Sequence, residues 1–335
     1  MFQRSEIPEL FCPFPSAVNP HGAEAEHHSF EWAQRWGLVS RAGREGQLLC
    51  AAKSAWFAAY PMPDASKDDL FLASDWAMWL FIHDDTVDHV FSVPSKIASR
   101  HAEFVAILDG AAPATDDLPA AHALANLRHR FHDRAPRWWF DRFIQAVKHQ
   151  FHSHEWEVSN TYANRVPELA AYVKMRPYVY WPCIILAFIA SRVRPNPAFL
   201  QHASIVSMTA MALNQIVWVN DVIGVNREIA EGSPHNLVLV LQQEYNLSLK
   251  EALHRAVQMT DNEMKAFLRL EVELPNFADE EAEVKTYLNT LHAWMRGHLD
   301  WYQETNRYPF APSSSMSSDD VTREHASTLL ANPTF

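Results

Sequence analysis

Apolar residues recur along most of this chain at the three-and-four spacing of helices that bury one face. The period starts near His27 with Trp32, Trp36 and Leu38. It continues from Leu48 to Tyr60, where Pro61 and Pro63 end it. Ser66, followed by Lys67, Asp68 and Asp69, reads as an N-cap with acids in the first turn. It opens a long apolar helix through Leu70, Phe71, Trp76, Trp79 and Phe81. Further helices are expected at about 94–108, 119–132, 137–160, 167–192, 197–229, 235–244, 248–272 and 279–306. Pro167, Pro177, Pro195, Pro197 and Pro234 punctuate them. Residues 1–25 hold four prolines and no period, and read as an extended N-terminal arm. Residues 26–310 have short loops and no linker, which predicts one domain. The Ser-rich residues 311–335 read as a disordered tail. The expected fold class is all-α, a single domain of about ten helices.

Composition narrows the chemistry. Of 335 residues, 48% are hydrophobic and 20% charged, enough for a sizeable core in a soluble protein. There are only 8 glycines, where average usage predicts roughly 23. None are spaced G-x-G and no P-loop is present, so a dinucleotide fingerprint and a Walker-type phosphate cradle are excluded. Glycine scarcity also argues against hairpin-rich β structure. The net charge of −12, with no basic stripe, argues against nucleic acid as a partner. Cys12, Cys50 and Cys183 fit neither a disulfide framework nor a zinc pattern, and suggest reduced thiols in the cytoplasm. The N-terminus lacks a signal-peptide apolar region. The most apolar run, Tyr178–Ala190, falls short of the roughly 20 residues a membrane span needs.

Two acidic clusters remain. His83-Asp84-Asp85-Thr86-Val87-Asp88-His89 closes an apolar helix, and Asp84 and Asp88, at i and i+4, share one face. Clustered carboxylates suit Mg²⁺, with water and substrate phosphate completing its shell. In Asn220-Asp221-Val222-Ile223-Gly224-Val225-Asn226-Arg227-Glu228, residues 220, 224 and 228 fall on one helix face after another apolar run. An amide oxygen and a carboxylate two turns apart can share a cation. Each cluster alone reads more readily as a solvated or polar helix end.

Together, in this order, they resemble the motifs of class I terpene synthases of the bacterial sesquiterpene-cyclase type. The aspartate-rich motif is Asp84-Asp85-x-x-Asp88; the N-D-x-x-S/T-x-x-x-E motif is Asn220, Asp221, Gly224 and Glu228, with Arg227 at the usual basic position. The C-terminal Arg-Tyr pair is Arg307-Tyr308. FPSAVNPH, EWAQRWGL, WEVSNTYANRVPELAAYVKMR and GSPHNLVLVLQQE extend the resemblance over nearly all of residues 13–310. It implies a helical barrel with the two motifs facing each other across its mouth, three Mg²⁺ ions, and an isoprenyl diphosphate substrate. Asp84 would be the main ligand of two ions, with Asp88 in the same motif. Asn220, Glu228 and position 224 would hold the third. Asp85 would pair with a basic residue. Arg176, 44 residues before Asn220, matches the diphosphate-sensor arginine, and Arg227, Arg307 and Tyr308 would complete the clamp. The physics agrees: a diphosphate leaves only when its developing charge is neutralised in a dry site.

Two departures stand out. Gly224 replaces the hydroxyl residue, and Val179-Tyr180 occupy the places where relatives often carry an acidic linker and a glycine whose carbonyl assists ionisation. The resulting carbocation needs an aromatic, water-free pocket, where cation–π attraction is worth about 2 kcal/mol or more. Phe57, Leu80, Phe81, Tyr180, Trp218 and Trp301 are the expected lining, and 12 tryptophans are above the usual share. Of the 18 histidines, His149 and His152 stand at i and i+3, with His154 facing elsewhere, and lack the H-E-x-x-H pattern. They read as packed or solvated residues, and His83 and His89 as outer neighbours of the aspartates. The expected activity is Mg²⁺-dependent cyclisation of a linear isoprenyl diphosphate, C15 by family type with C10 and C20 as alternatives. A non-catalytic isoprenoid-binding protein is the rival from another class. A chain-elongating prenyltransferase would need a second D-D-x-x-D, which is absent. The oligomeric state, a homodimer included, stays open.

Overall fold

The computed structural model describes residues 1–40, 46, 49, 51–89, 93–194, 198–277 and 280–308, with the side chains of 87–89 left aside. The expected tail, Cys50 and the side chain of Asp88 thus lie outside the described residues. Twelve α-helices are present among them: α1 (Gly22–Arg35), α2 (Trp56–Ala59), α3 (Lys67–His89), α4 (Pro94–Leu108), α5 (Pro119–Arg134), α6 (Arg137–Tyr162), α7 (Leu169–Met175), α8 (Trp181–Ala190), α9 (Ala203–Glu231), α10 (Leu237–Tyr245), α11 (Leu249–Val272) and α12 (Glu281–Glu304). Short 3₁₀ turns occupy Arg4–Glu6, Arg176–Val179 and Phe199–Gln201. No β-strand occurs among the described residues.

Local chemistry explains most boundaries. Pro94 and Pro119 sit in the first turns of α4 and α5, where a missing N–H costs nothing. Ser66 Oγ accepts from Asp69 N at the head of α3. Ser248 and Glu251 form a reciprocal capping box for α11. Gly232, at φ +70°, ends α9 in the left-handed conformation.

Three expected helices differ. α1 begins at Gly22 rather than near His27, because the Asn19 amide, donating to Met62 O and Ala65 O, anchors the entry and its carbonyl accepts from Gly22 N. The run to Tyr60 is not one helix. Lys53 adopts φ +48°, and the carbonyls of Ala51, Ala52 and Lys53 accept from Asn306 N, Thr305 Oγ1 and Trp301 Nε1 instead of continuing a helical ladder. The stretch 167–192 breaks into α7, a 3₁₀ turn and α8 at Pro177, which cannot donate to a helical carbonyl. That break places Arg176 and Tyr180.

The N-terminal arm is docked along the body. Phe2 N donates to Asn226 Oδ1 and its carbonyl accepts from Asn226 Nδ2, while Phe14 stacks on His292 at 4.0 Å. α8 is buried at every position from Pro182 to Ala190, so it is a central helix. It touches α3 on one side and α12 on another, and α9 packs on α12 and on the Arg176–Val179 turn. α12 approaches the end of α2 so closely that a Cβ on Gly297 would stand 2.5–2.7 Å from the Tyr60–Pro61 backbone. The glycine is what lets these two elements meet. The ends of α3 and α9 and the chain leaving α12 converge where the acidic motifs lie.

Candidate active site

On α9, the buried Asp221 acts as an anchor. Its carboxylate accepts from Tyr172 OH at 2.6 Å, from Leu237 N at 3.1 Å, and from Arg176 Nη2 and Nε at 2.8 and 3.1 Å. Arg176 Nη2 also donates to Asn220 Oδ1 at 2.8 Å. The amide of Asn220 donates to Tyr302 OH and Tyr308 OH, at 2.5 and 2.9 Å, so its oxygen is oriented from both sides. Glu228 Oε2 accepts from Asn236 Nδ2 at 2.9 Å. Its carboxylate lies over Gly224, where an added Cβ would come within 2.9 Å of both oxygens. Position 224 therefore supplies no side-chain donor of its own, and its missing Cβ makes room for Glu228.

On α3, Asp85 takes both prongs of Arg307, Nη2 to Oδ1 at 2.6 Å and Nη1 to Oδ2 at 3.1 Å, with Arg227 Nη2 at 3.3 Å. Arg227 also donates to Glu231 at 2.7 Å. Asp84 is less engaged: Arg307 Nη2 is 3.4 Å away, and its side chain is 38% exposed. Arg307 and Tyr308 are thus turned inward, onto the aspartates and Asn220.

Below this charged mouth the aromatic residues meet. The Arg307 guanidinium lies 5.0 Å over the Phe81 ring. The ring of Phe81 packs on Phe57 and Trp301, at 5.2 and 5.8 Å. Phe57 is the hub, touching Tyr180, Trp294, His298 and Trp301 at 5.2–5.7 Å. Leu80 and Trp218 are buried in the same core, but Trp218 makes no ring contact with this group among the described residues. Tyr180 joins the aromatic group, and the Val179 carbonyl accepts from Gln150 Nε2 at 2.8 Å.

Several residues of this site are not among those the sequence singles out, although Glu157, Tyr172 and Asn236 lie within the resembling segments. Glu157 on α6, Tyr172 on α7, Asn236 at the head of α10, and Trp294, His298 and Tyr302 on α12 enter it from four segments. Burial and the neighbouring Asp84 and Asp221 push Glu157 up to about 7, against the opposing charge of Arg176. Burial, then Asp221, raises Glu228 well above the ordinary carboxylate range. Burial, then Arg176, holds the His298 imidazole down to about 3. The histidines add an arrangement that their spacing did not indicate. His154 does face away from His149, but it joins His83 and His101 in one buried cluster drawn from α6, α3 and α4.

The donor set fits a hard divalent cation. Asp84, Asn220 and Glu228 offer carboxylate and amide oxygens only. Glu157 and Glu228 are buried, and the nearby Asp221 raises the proton affinity of both. A cation with oxygen preference relieves that repulsion, and Mg²⁺ has this preference.

The profile described as "Terpene synthase family 2, C-terminal metal binding" matches residues 75–266. The chain is similar to a (+)-T-muurolol synthase of Roseiflexus castenholzii, 33% identical over 89% of this chain and 93% of that one. It is also similar to the germacrene A synthase of Nostoc punctiforme, 31% identical over 90% and 94%. In fold it resembles the linalool/nerolidol synthase of Streptomyces clavuligerus, with a TM-score of 0.79 over 88% of this chain and 99% of that one at 23% identity. The match to the profile spans more than half of the chain, and the kinship in sequence covers about nine-tenths of it. The chain belongs to terpene synthase family 2 and is a class I terpene synthase of the bacterial type.

Proposed function

We propose that the chain cyclises farnesyl diphosphate to a sesquiterpene in a Mg²⁺-dependent reaction that releases diphosphate. One observation carries this reading. Arg176, Arg227 and Arg307 come from three elements and converge with Asp84, Asp85, Asn220 and Glu228 above rings of Phe57, Phe81, Tyr180 and Trp301. Support for a C15 substrate comes from relatives, one of which is named for cyclising (2E,6E)-farnesyl diphosphate.

Asp84, Asn220 and Glu228 are the residues that would hold Mg²⁺, with Asp88 as a further carboxylate of the motif and water in place of the missing hydroxyl at Gly224. When bound, the cations supply positive charge against the leaving diphosphate. The three arginines bind and orient that group. Their forks match phosphate oxygens and stay protonated throughout. Tyr308 and Tyr302 accept from the Asn220 amide nitrogen and so hold its oxygen toward Arg176. Heterolysis of the C–O bond leaves an allylic cation in the apolar region. Aromatic faces attract that cation, and burial excludes the water that would quench it.

The test is incubation of the purified protein with Mg²⁺ and farnesyl diphosphate under a solvent overlay, followed by gas chromatography. A cyclic C15 product is expected. Parallel samples with C10 and C20 diphosphates, and one with isopentenyl diphosphate added, report a different chain length or an elongating enzyme. Either result would replace the sesquiterpene reading.

A further inference from the structure

Behind the aspartate motif lies a set of groups that the proposed reaction does not use. His83 on α3, His101 on α4 and His154 on α6 are 4%, 1% and 1% exposed, and one ring nitrogen from each lies within 4.8 Å of the other two. His83 Nε2 and His101 Nε2 are 3.2 Å apart. That is close to the edge of a tetrahedron, about 3.3 Å, built on zinc–nitrogen bonds of 2.0–2.1 Å. His101 Nδ1 is 2.9 Å from Glu155 Oε1. A carboxylate there accepts a hydrogen bond from Nδ1–H and so leaves the Nε2 lone pair aimed at the other two rings, the arrangement that orients metal-bound imidazoles. His154 has no hydrogen-bond partner at either ring nitrogen, although the ring is buried. A buried imidazole with two idle nitrogens beside two converging ones needs a partner that the protein does not provide.

We infer that His83, His101 and His154 form a binding site for one divalent transition-metal ion, with Zn²⁺ the best chemical match. Imidazole nitrogen favours zinc and its first-row neighbours, whereas Mg²⁺ prefers oxygen, so this site and the carboxylate mouth select different ions. Charge balance is available: Asp84 Oδ1 lies 4.0 Å from His154 Nε2, and Glu155 backs His101. The site ties α3, α4 and α6 together one residue before Asp84. Its consequence is structural. A metal there would fix the end of α3 and hence the aspartates, without touching substrate.

The test uses metal-free full-length protein with Mg²⁺ and inorganic diphosphate in excess, so that the carboxylate mouth is filled. Zn²⁺ uptake is read against a chromogenic chelator, and Co²⁺ is added separately as a spectroscopic probe. We expect one Zn²⁺ per chain, a rise in melting temperature on binding, and the strong visible bands of tetrahedral nitrogen-ligated Co²⁺. His101→Phe and His154→Phe should each lose all three signals. His101→Gln serves if the aromatic replacement does not fold. No Zn²⁺ uptake by the wild type, or only the weak bands of octahedral Co²⁺, would overturn the inference. So would uptake unchanged in the folded histidine variants.

Discussion

Arg307 grips Asp85 with two prongs, at 2.6 and 3.1 Å, and so ties the chain leaving α12 to the end of α3. Asp85 is thereby occupied by Arg307 and Arg227, while its neighbour Asp84, equally half-buried, has only the longer Arg307 contact at 3.4 Å. Two adjacent aspartates thus have different surroundings. Under the proposed function, the first would take the cations and the second would hold the basic residues that meet the diphosphate.

The pairing predicts that Asp85→Asn loosens residues 305–308. Charged hydrogen bonds contribute about 1.5–3 kcal/mol, equivalent to roughly ten- to a hundredfold in an opening equilibrium. Hydrogen exchange over 305–308 should quicken by about that factor in the ligand-free protein. Exchange unchanged from wild type would show that the ion pair does not hold the segment.

Gly297→Ala should destabilise the protein strongly. The new methyl would meet the Tyr60–Pro61 backbone at 2.5–2.7 Å, and backbone cannot swing aside as a flexible side chain does. Overpacking of this kind costs about 1–3 kcal/mol, and a backbone wall puts the value at the upper end. Denaturant unfolding measures it. A change under about 0.5 kcal/mol, the range of ordinary surface substitutions, would contradict the close approach of α12 and α2. The displacement also moves Trp294, His298 and Trp301 relative to Phe57, so activity should fall with stability.

Gly224→Ser tests the relation between Gly224 and Glu228. The obstruction is the far end of a flexible carboxylate, so the fold should tolerate the change. Replacing a helical glycine gains about 0.5–1 kcal/mol in the case of alanine, and serine should gain less. Glu228 must shift from its place beside Asn236. The Mg²⁺ concentration giving half-maximal turnover should therefore move while melting temperature does not fall. A large drop in melting temperature, or an identical Mg²⁺ dependence, would argue against this geometry.

A pH prediction rests on Glu26 of α1. Its Oε2 accepts from Ala55 N, its Oε1 has no partner, and burial raises its carboxyl from 4.5 to about 7. Between those values the folded state holds a proton that the unfolded state has released, so stability from this group falls as pH rises from 4.5 to 7. Glu26→Gln removes that loss. At pH 8 the variant should be more stable than wild type by about 1–3 kcal/mol, with little difference at pH 4.5. Equal stability at both pH values would show that Glu26 ionises freely in the folded chain.

How much was legible in the sequence depended on how local the cause was. α4, α5 and α11 could be placed because Pro94, Pro119 and the Ser248–Glu251 box act within a few residues. The short α2 could not, because the carbonyls of Ala52 and Lys53 are claimed by Thr305 and Trp301, about 250 residues away in sequence. The acidic motifs stood out through the spacing of Asp84 and Asp88 and of Asn220 and Glu228. The part of Asp221 as anchor for Arg176, Tyr172 and Leu237 did not, since its partners come from three other segments. The histidine cluster stayed hidden for the same reason. Its rings lie on three helices, and a pairwise spacing such as His149–His152 points to the wrong face.

The most direct test of the central claim is diphosphate release from farnesyl diphosphate by wild type, Asp84→Asn and Glu228→Gln, measured against Mg²⁺ concentration. Wild type should turn over only with the cation and stop on chelation. Both variants should lose activity by about a hundredfold or more, the scale of removing one group that stabilises developing charge, while keeping wild-type helical circular dichroism. Turnover by wild type without divalent metal, or variants matching wild type across the titration, would contradict the account.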